Sequence, residues 1–514
     1  MIAEVLVLIA FLIENCTGVA LIETYEESTI HSPAEGDSLI EQHVSSLEDF
    51  THFDPTDAIF QEYDPPRHLE TDPKAWKQSL PSFNKSFWEC LKTVLLIQAV
   101  TSTVFELAAI FVVFLDFSTA EVCYNKVWNE MPKNVQHLRV IAQCVEAFLL
   151  QMWNLFCIWV IIPSSLIKEL NILTHSLVAA FLDVIYRLCL QMYGIYRLSW
   201  MKPPLNALFG LVVLINHYRL SRHCYPNSFK DTLKLHFVIT SQFTLGVPVW
   251  YLLVYKLVPL YVQQDEHVKL FIAALCPLLT VLPKAVSRVS AQSEILKGLM
   301  HPGKAYFLVA ITYGISSVVF RAMQAELNSI GLFIALGIVH AFIDLLERIT
   351  ITMRDHIWEY LYRLVRRQRR RQPKYRSPRS RRLIADISIQ IMMQEVTALV
   401  TALGFISVYR FIYSQKSLTN FEIITDFLVR AGIGLLIDVV FNVISLLIQT
   451  RVMNIAVNRV WKKKWRHHIV VNSLIVFICV LYFSEHLFKI AQDKYDSRGH
   501  SKLDKLNCSL PSFL

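Results

Sequence analysis

The 514-residue sequence has no CxxC pair and no Cys/His cluster at zinc-ligand spacing, so neither a metal finger nor a redox motif is indicated. Its ten cysteines are scattered, and several fall inside apolar runs, where a thiol is a small hydrophobe. A Gly-x-Ser-x-Gly elbow, a Walker A loop, an HExxH motif and histidine boxes are also missing, and Gly432-Ile433-Gly434 lacks the directly following Asp of intramembrane aspartyl proteases. These absences leave no catalytic residue, no metal set and no cofactor to assign. They also exclude a nucleotide-driven pump.

What the chain does contain is apolar surface. A content of 54% hydrophobic residues, 12% aromatics and a mean hydropathy of +0.39 exceed what one aqueous core absorbs, so lipid must cover the rest. Crossing a hydrocarbon core of about 30 Å takes about 20 apolar residues. Candidate runs are Thr93–Leu115, Leu138–Ile162, Ile172–Ile195, Leu205–Tyr218, Leu235–Val262, Leu270–Leu282, Ala305–Phe320, Leu327–Leu346, Ile387–Tyr413, Ile423–Ile448 and Ile469–Phe488. The expected fold is all-α, a polytopic transmembrane helix bundle of about 10–11 spans with a disordered acidic N-terminal segment. The fourth and sixth runs are short enough to be re-entrant or broken.

The domain plan follows composition. Residues 1–22 have an apolar centre but Glu4, Glu14 and no basic n-region, and read as a signal peptide or a retained anchor. Residues 23–91 form an acidic, largely disordered segment, with fourteen acidic against two basic residues over 23–75. It is either a solvated tail or a docking segment for a basic protein partner. Residues 92–350 hold the first group of spans, 351–386 a basic cytoplasmic juxtamembrane segment, 387–490 three further spans and 491–514 a polar tail. Over 354–382 there are twelve Arg or Lys. Such a run beside a span attracts anionic lipid headgroups at about 1 kcal/mol per residue. It is no voltage sensor, because its arginines are contiguous, and nucleic acid is not an expected partner. Ser377 and Ser380 within it are phosphorylation candidates.

Orientation rests on the positive-inside bias of short loops. Loops 219–234, 354–382 and 451–466 are all basic, and the number of runs between them lets all three lie inside. The C-terminus is then outside, where Asn507-Cys508-Ser509 is a usable glycosylation sequon. Eight spans before the basic segment place residues 23–91 inside. A cleaved signal peptide with seven spans places them outside and makes Asn84 a second glycosylation candidate.

Ionisable side chains at bilayer depth are expensive and mark pathways or locked pairs. Asp183 and Arg187, and Asp426 and Arg430, each stand four apart and can pair along one helix face. Asp438 continues the second series, and Glu106, Glu146 and Glu395 are lone carboxylates inside runs. Together these eight are the candidates for an intramembrane pathway. His340 and Asp344 are weaker candidates: at i, i+4 they can share a metal or a proton, but a metal needs ligands from another helix. Gly246 with Pro248, and Pro277 with Pro283, interrupt helical hydrogen bonding as broken transporter helices do. The functional expectation is a transporter or channel with a charged intramembrane pathway. The alternative is a membrane receptor or scaffold that recruits partners through its acidic N-terminus and basic loop.

Overall fold

The computed structural model describes residues 81–120, 128–162, 164–193, 202–296, 300, 302–366, 378–413 and 420–496. The expected signal or anchor, most of the acidic segment, Ser377 and Asn507 lie outside them. Every long element is a helix, and there is no strand among the described residues. Seven helical stretches are long and apolar enough to cross a bilayer: Lys133–Ile161, Ile172–Met192, Glu266–Ala291, Gly303–Glu326, Ile330–Asp355, Ser380–Ser407 and Phe421–Arg451. The chain is an all-α, multi-pass membrane protein.

The principal helices are α1 (Phe83–Ala120), α2 (Lys133–Ile161), α3 (Ile172–Met192), α4 (Lys202–Cys224), α5 (Phe229–Leu252), α6 (Glu266–Leu279), α7 (Val281–Ala291), α8 (Phe307–Glu326), α9 (Ile330–Arg366), α10 (Pro378–Tyr413), α11 (Asn420–Arg451) and α12 (Val457–Asp496). Cross-helix contacts give their directions. Gln151 meets Asp183 and Arg187 meets Gln143, so α2 and α3 are antiparallel. Asn216 meets Ser176 and Arg219 meets His175, which reverses α4 against α3. The His217–Phe243 and Tyr218–His236 ring pairs reverse α5 against α4. Tyr313 with Glu347 and Gln324 with the Phe333 carbonyl make α8 and α9 antiparallel. Glu395 with Arg321 and Gln394 with the Ala310 carbonyl make α10 parallel to α8.

Counting α6 and α7 as one interrupted helix, eleven long helices alternate in direction among the described residues, eight of them before the 354–382 segment. The loops at 219–234 and 451–466 and the described ends of the 354–382 segment, on α9 and α10, lie at one end. Arg451 at the close of α11 donates to Ser86 Oγ and the Pro81 carbonyl at the start of α1. Tyr225 in the 219–234 loop bonds the Ile295 carbonyl that precedes α8. This end is called the basic end and the opposite one the far end.

Both doubtful runs are full elements. The fourth is the 23-residue α4. The sixth is a broken helix whose two halves, α6 and α7, meet at Thr280, the C-cap of one and the N-cap of the other. Pro277 lies three residues before the break, where its missing N–H and its ring disrupt the ladder. Pro283 sits in the first turn of α7, where a proline is tolerated. In the fifth run Pro248 lies inside continuous helix, and the irregularity comes later, as a π-turn over Leu253–Leu257 ahead of Pro259.

The expected boundaries of the basic segment shift inward. α9 continues to Arg366 and α10 begins at Pro378, and Ile351, Asp355, Leu383 and Asp386 are buried in the bundle. α1 likewise starts at Phe83, inside the segment read as acidic and unstructured, because Phe87, Cys90 and Leu91 pack against the core.

The buried polar groups are enclosed within an apolar core, and the outward faces are apolar too. α8 and α10 are enclosed on every side, whereas Val178, Phe181, Leu182 and Ile185 of α3 and Ile424, Leu428, Leu436 and Val440 of α11 are exposed. In lipid those rows are the solvated surface, and backbone groups are satisfied within each helix.

Candidate functional site

The enclosed helices carry the charges. At mid-depth Arg321 of α8 donates from Nε to Glu395 Oε2 of α10 at 2.8 Å, from Nη1 to Gln324 at 2.9 Å, and from Nη2 to both oxygens of Asp438 of α11 at 2.8 and 2.9 Å. Ser317 donates to Glu395 Oε1 at 2.5 Å. His340 of α9 places Nε2 2.9 Å from Glu395 Oε2 and 3.7 Å from Asp344 Oδ2. Phe320 stacks on the His340 ring at 3.7 Å and 14°, which sets the plane of the imidazole. Arg348 donates to the Asp344 carbonyl. Four helices thus meet through one network, and all of these groups are buried.

A second network lies closer to the basic end. Tyr313 donates to Glu347, which also receives Lys284 Nζ at 3.0 Å. Arg288 of α7 reaches the Tyr313 hydroxyl and Asp355, and Gln292 reaches the other Asp355 oxygen. His340, Asp344, Glu347, Arg348 and Asp355 share one side of α9 by helical spacing. From His340 to Asp355 the rise is about 22 Å, most of a hydrocarbon core of about 30 Å. Toward the far end Gln324 passes the series to the Phe333 carbonyl, and Lys269 pairs with Glu326 at 2.9 Å. The result is a column of ionisable side chains running from one end of α8 and α9 to the other.

Its charge is uneven along its length. At the centre, Asp344, Glu395 and Asp438 face Arg321 and Arg348, one carboxylate in excess when His340 is neutral. Nearer the basic end, Lys284, Arg288 and Arg354 face Glu347 and Asp355, one cation in excess.

The structure divides the eight pathway candidates. Glu395 and Asp438 belong to the central network, together with His340 and Asp344. Asp183, Arg187 and Glu146 form a separate group on α2 and α3: Arg187 bonds Asp183 at 2.9 Å and lies 3.4 Å from Glu146, and Gln151 takes the other Asp183 oxygen. Asp426 and Arg430 pair at 2.9 Å near the far end, where Arg430 also donates to the Leu327 and Asn328 carbonyls. That contact closes the C-terminus of α8, whose last carbonyls have no helical partner. Glu106 is on α1, outside the residues whose side chains are described. Ser380 is buried in the first turn of α10, so a kinase reaches it only if that turn opens.

A third group, at the basic end, was not singled out from sequence. Asp386 holds His468 at 3.1 Å and Arg382 at 2.9 Å, and Tyr306 stacks on the His468 ring. Next to it, His467 sits two residues before the last apolar run, with Nδ1 2.6 Å from the Tyr306 hydroxyl. Burial chiefly, with the nearby His468 and Lys304, pushes its pKa down to about 4.

Arg321, Arg288 and Lys284 are not conspicuous in the sequence, for a visible reason, and Tyr313 reads as one more aromatic of an apolar run. The seventh run was closed at Phe320, one residue before Arg321, and the sixth at Leu282, two residues before Lys284. The polar spacing Thr312, Ser316, Ser317, Arg321, Gln324 was the available signal. No protein family, curated protein or solved structure matches the chain.

Proposed function

We propose that this membrane protein is a transporter or channel whose pathway is the column formed by α7, α8, α9, α10 and α11. One observation carries the reading: ionisable side chains on five helices form hydrogen-bonded clusters that follow one another along the length of α8 and α9. A local structural group, such as Asp183, Arg187 and Glu146 on α2 and α3, needs no such extent. Charged groups at this depth are expensive, and their usual roles are ion paths, proton relays and substrate sites. Glu395 and Asp438 are the pathway carboxylates, and Arg321 positions both. The test is flux in proteoliposomes containing the full chain, followed by ion-sensitive dyes under an imposed potential. Glu395→Gln and Asp438→Asn abolish flux on this reading, and Asp426→Asn leaves it intact. Equal flux in all three variants overturns it.

A second reading, a membrane receptor or scaffold, is favoured by the completeness of pairing around Arg321, which also suits a rigid lock. On that reading the acidic 23–75 segment and the basic 354–382 segment recruit a protein partner and anionic lipid headgroups. Deleting either segment then removes the cellular phenotype, while neutralising the column leaves it.

A further inference from the structure

We propose that His340, Asp344 and Glu395 bind a divalent transition-metal cation of the zinc class at the centre of the column. The proposal gives a ligand to the centre on which the transport reading rests, and the binding itself is measured separately from movement.

The three side chains each offer one ligand atom, and those atoms all lie within 4.8 Å of one another. One imidazole nitrogen and two carboxylate oxygens are a donor set that suits zinc and its first-row neighbours. Two ligands come from adjacent turns of α9 and the third from α10. Their convergence is therefore a product of the fold.

The hydrogen bonding around the centre is lopsided in a way that points to a cation. Glu395 receives Ser317, Arg321 and His340, and Asp438 is held by Arg321. Asp344 is 7% exposed, yet no hydrogen bond reaches its carboxylate among the described residues, and the His340 Nε2 that lies 3.7 Å away is engaged by Glu395. His340 Nδ1 is buried without a partner as well. A buried carboxylate that no donor reaches loses solvation that nothing replaces directly, and Arg348, which faces it, gives its Nε to the Asp344 backbone carbonyl instead. A cation between Asp344, His340 and Glu395 supplies the missing partner. Glu395 keeps room for it, since an ionised carboxylate offers about four acceptor sites and three are in use.

Charge sets the terms of binding. The centre carries one excess negative charge with neutral His340, which attracts a cation. Ligation releases any proton on the coordinating imidazole nitrogen, so affinity falls as pH falls. A proton alone also balances the excess charge, so the experiment must read the metal directly.

The full chain, purified in detergent and titrated with Co2+, is expected to develop visible d–d absorption that Zn2+ removes. His340→Gln and Asp344→Asn should each weaken binding at least about 100-fold, the upper end of what losing only a supporting partner does. Asp344→Glu should restore part of it, which a folding defect would not. Asp426→Asn, outside the centre, should bind as the unaltered chain does. Absence of Co2+ absorption in the unaltered chain means a proton only and overturns the proposal, as does equal binding by His340→Gln and Asp344→Asn. If Co2+ binds but vesicles show no ion flux, the transport reading falls and the metal site stands. Flux without Co2+ binding does the reverse.

Discussion

Arg321 is the residue on which most depends. It is surrounded by Glu395, Asp438 and Gln324 on three helices, so removing its charge leaves two buried carboxylates uncompensated. Breaking such a buried pair from one side destabilises by about 3–5 kcal/mol. Arg321→Gln should therefore unfold far more readily in detergent than the unaltered chain, and adding Glu395→Gln should cost much less than the two single losses summed. Additive losses would show that the contacts are independent pairs. The part of this network legible in the sequence was its carboxylates and His340, since a lone Glu or Asp in an apolar run is conspicuous. The arginine was hidden because run-finding stops at charge. The same limit explains why Asp183–Arg187 and Asp426–Arg430, both real i, i+4 pairs, were expected to share one path: spacing reports partners on one helix and is silent about those across helices. His467 allows a residue-scale pH test. Its folded pKa of about 4 lies below the ordinary value of about 6.5, so folding disfavours its charged form. The stability it contributes is complete above about pH 6.5 and is lost as pH falls toward 4. Unfolding midpoints of His467→Gln should lose that slope relative to the unaltered chain. An unchanged slope assigns the acid sensitivity elsewhere.

At the scale of elements, the interior depends on close approach where small residues sit. A methyl at Gly434 of α11 would stand 2.6 Å from Leu399 Cδ2 of the enclosed α10, and one at Gly337 of α9 would stand 2.8 Å from Gln324 Nε2. Leu399 is fully buried, so it has nowhere to retreat, whereas an amide can turn. Gly434→Ala should accordingly lower stability by about 1–3 kcal/mol, the usual range for overpacking. Gly337→Ala should act by moving Gln324 off Arg321. Thermal unfolding in detergent checks the first, and loss of flux with a near-normal midpoint checks the second. If Gly434→Ala melts with the unaltered chain, α10 and α11 pack less tightly than described. The helices themselves were legible from hydrophobic run length alone, including the interrupted sixth pass with its prolines. So was the continuation of α9 toward Arg366, because Trp358, Leu361, Tyr362 and Val365 keep helical spacing past Leu346, but the start of α1 was not: it gains a turn and more before its run. Packing against neighbours extends a helix beyond the stretch that lipid alone selects.

At the scale of the whole molecule, the count of passes decides the side of the N-terminal region. The start of α1 sits beside Arg451, and Lys462 pairs with Glu89 at 2.7 Å, so residues 81–89 share an end with the loops at 219–234 and 451–466. Positive loops remain in the cytoplasm during insertion. On that rule the start of α1 is expected on the cytoplasmic side, and Asn84, although exposed, is expected to stay unglycosylated. α12 leaves the basic end running parallel to α10, with His468 beside Asp386 and Asn472 beside Thr397, so the sequon at Asn507, outside the described residues, is expected on the opposite side. The expected result in cells is that Asn507→Gln removes a glycosidase-sensitive mobility shift and Asn84→Gln changes nothing. A shift lost with Asn84→Gln would place the basic end outside and reverse the whole bundle. It would also reverse the side from which any ion enters the column, because Asp355 and Gln292 are its members nearest that end.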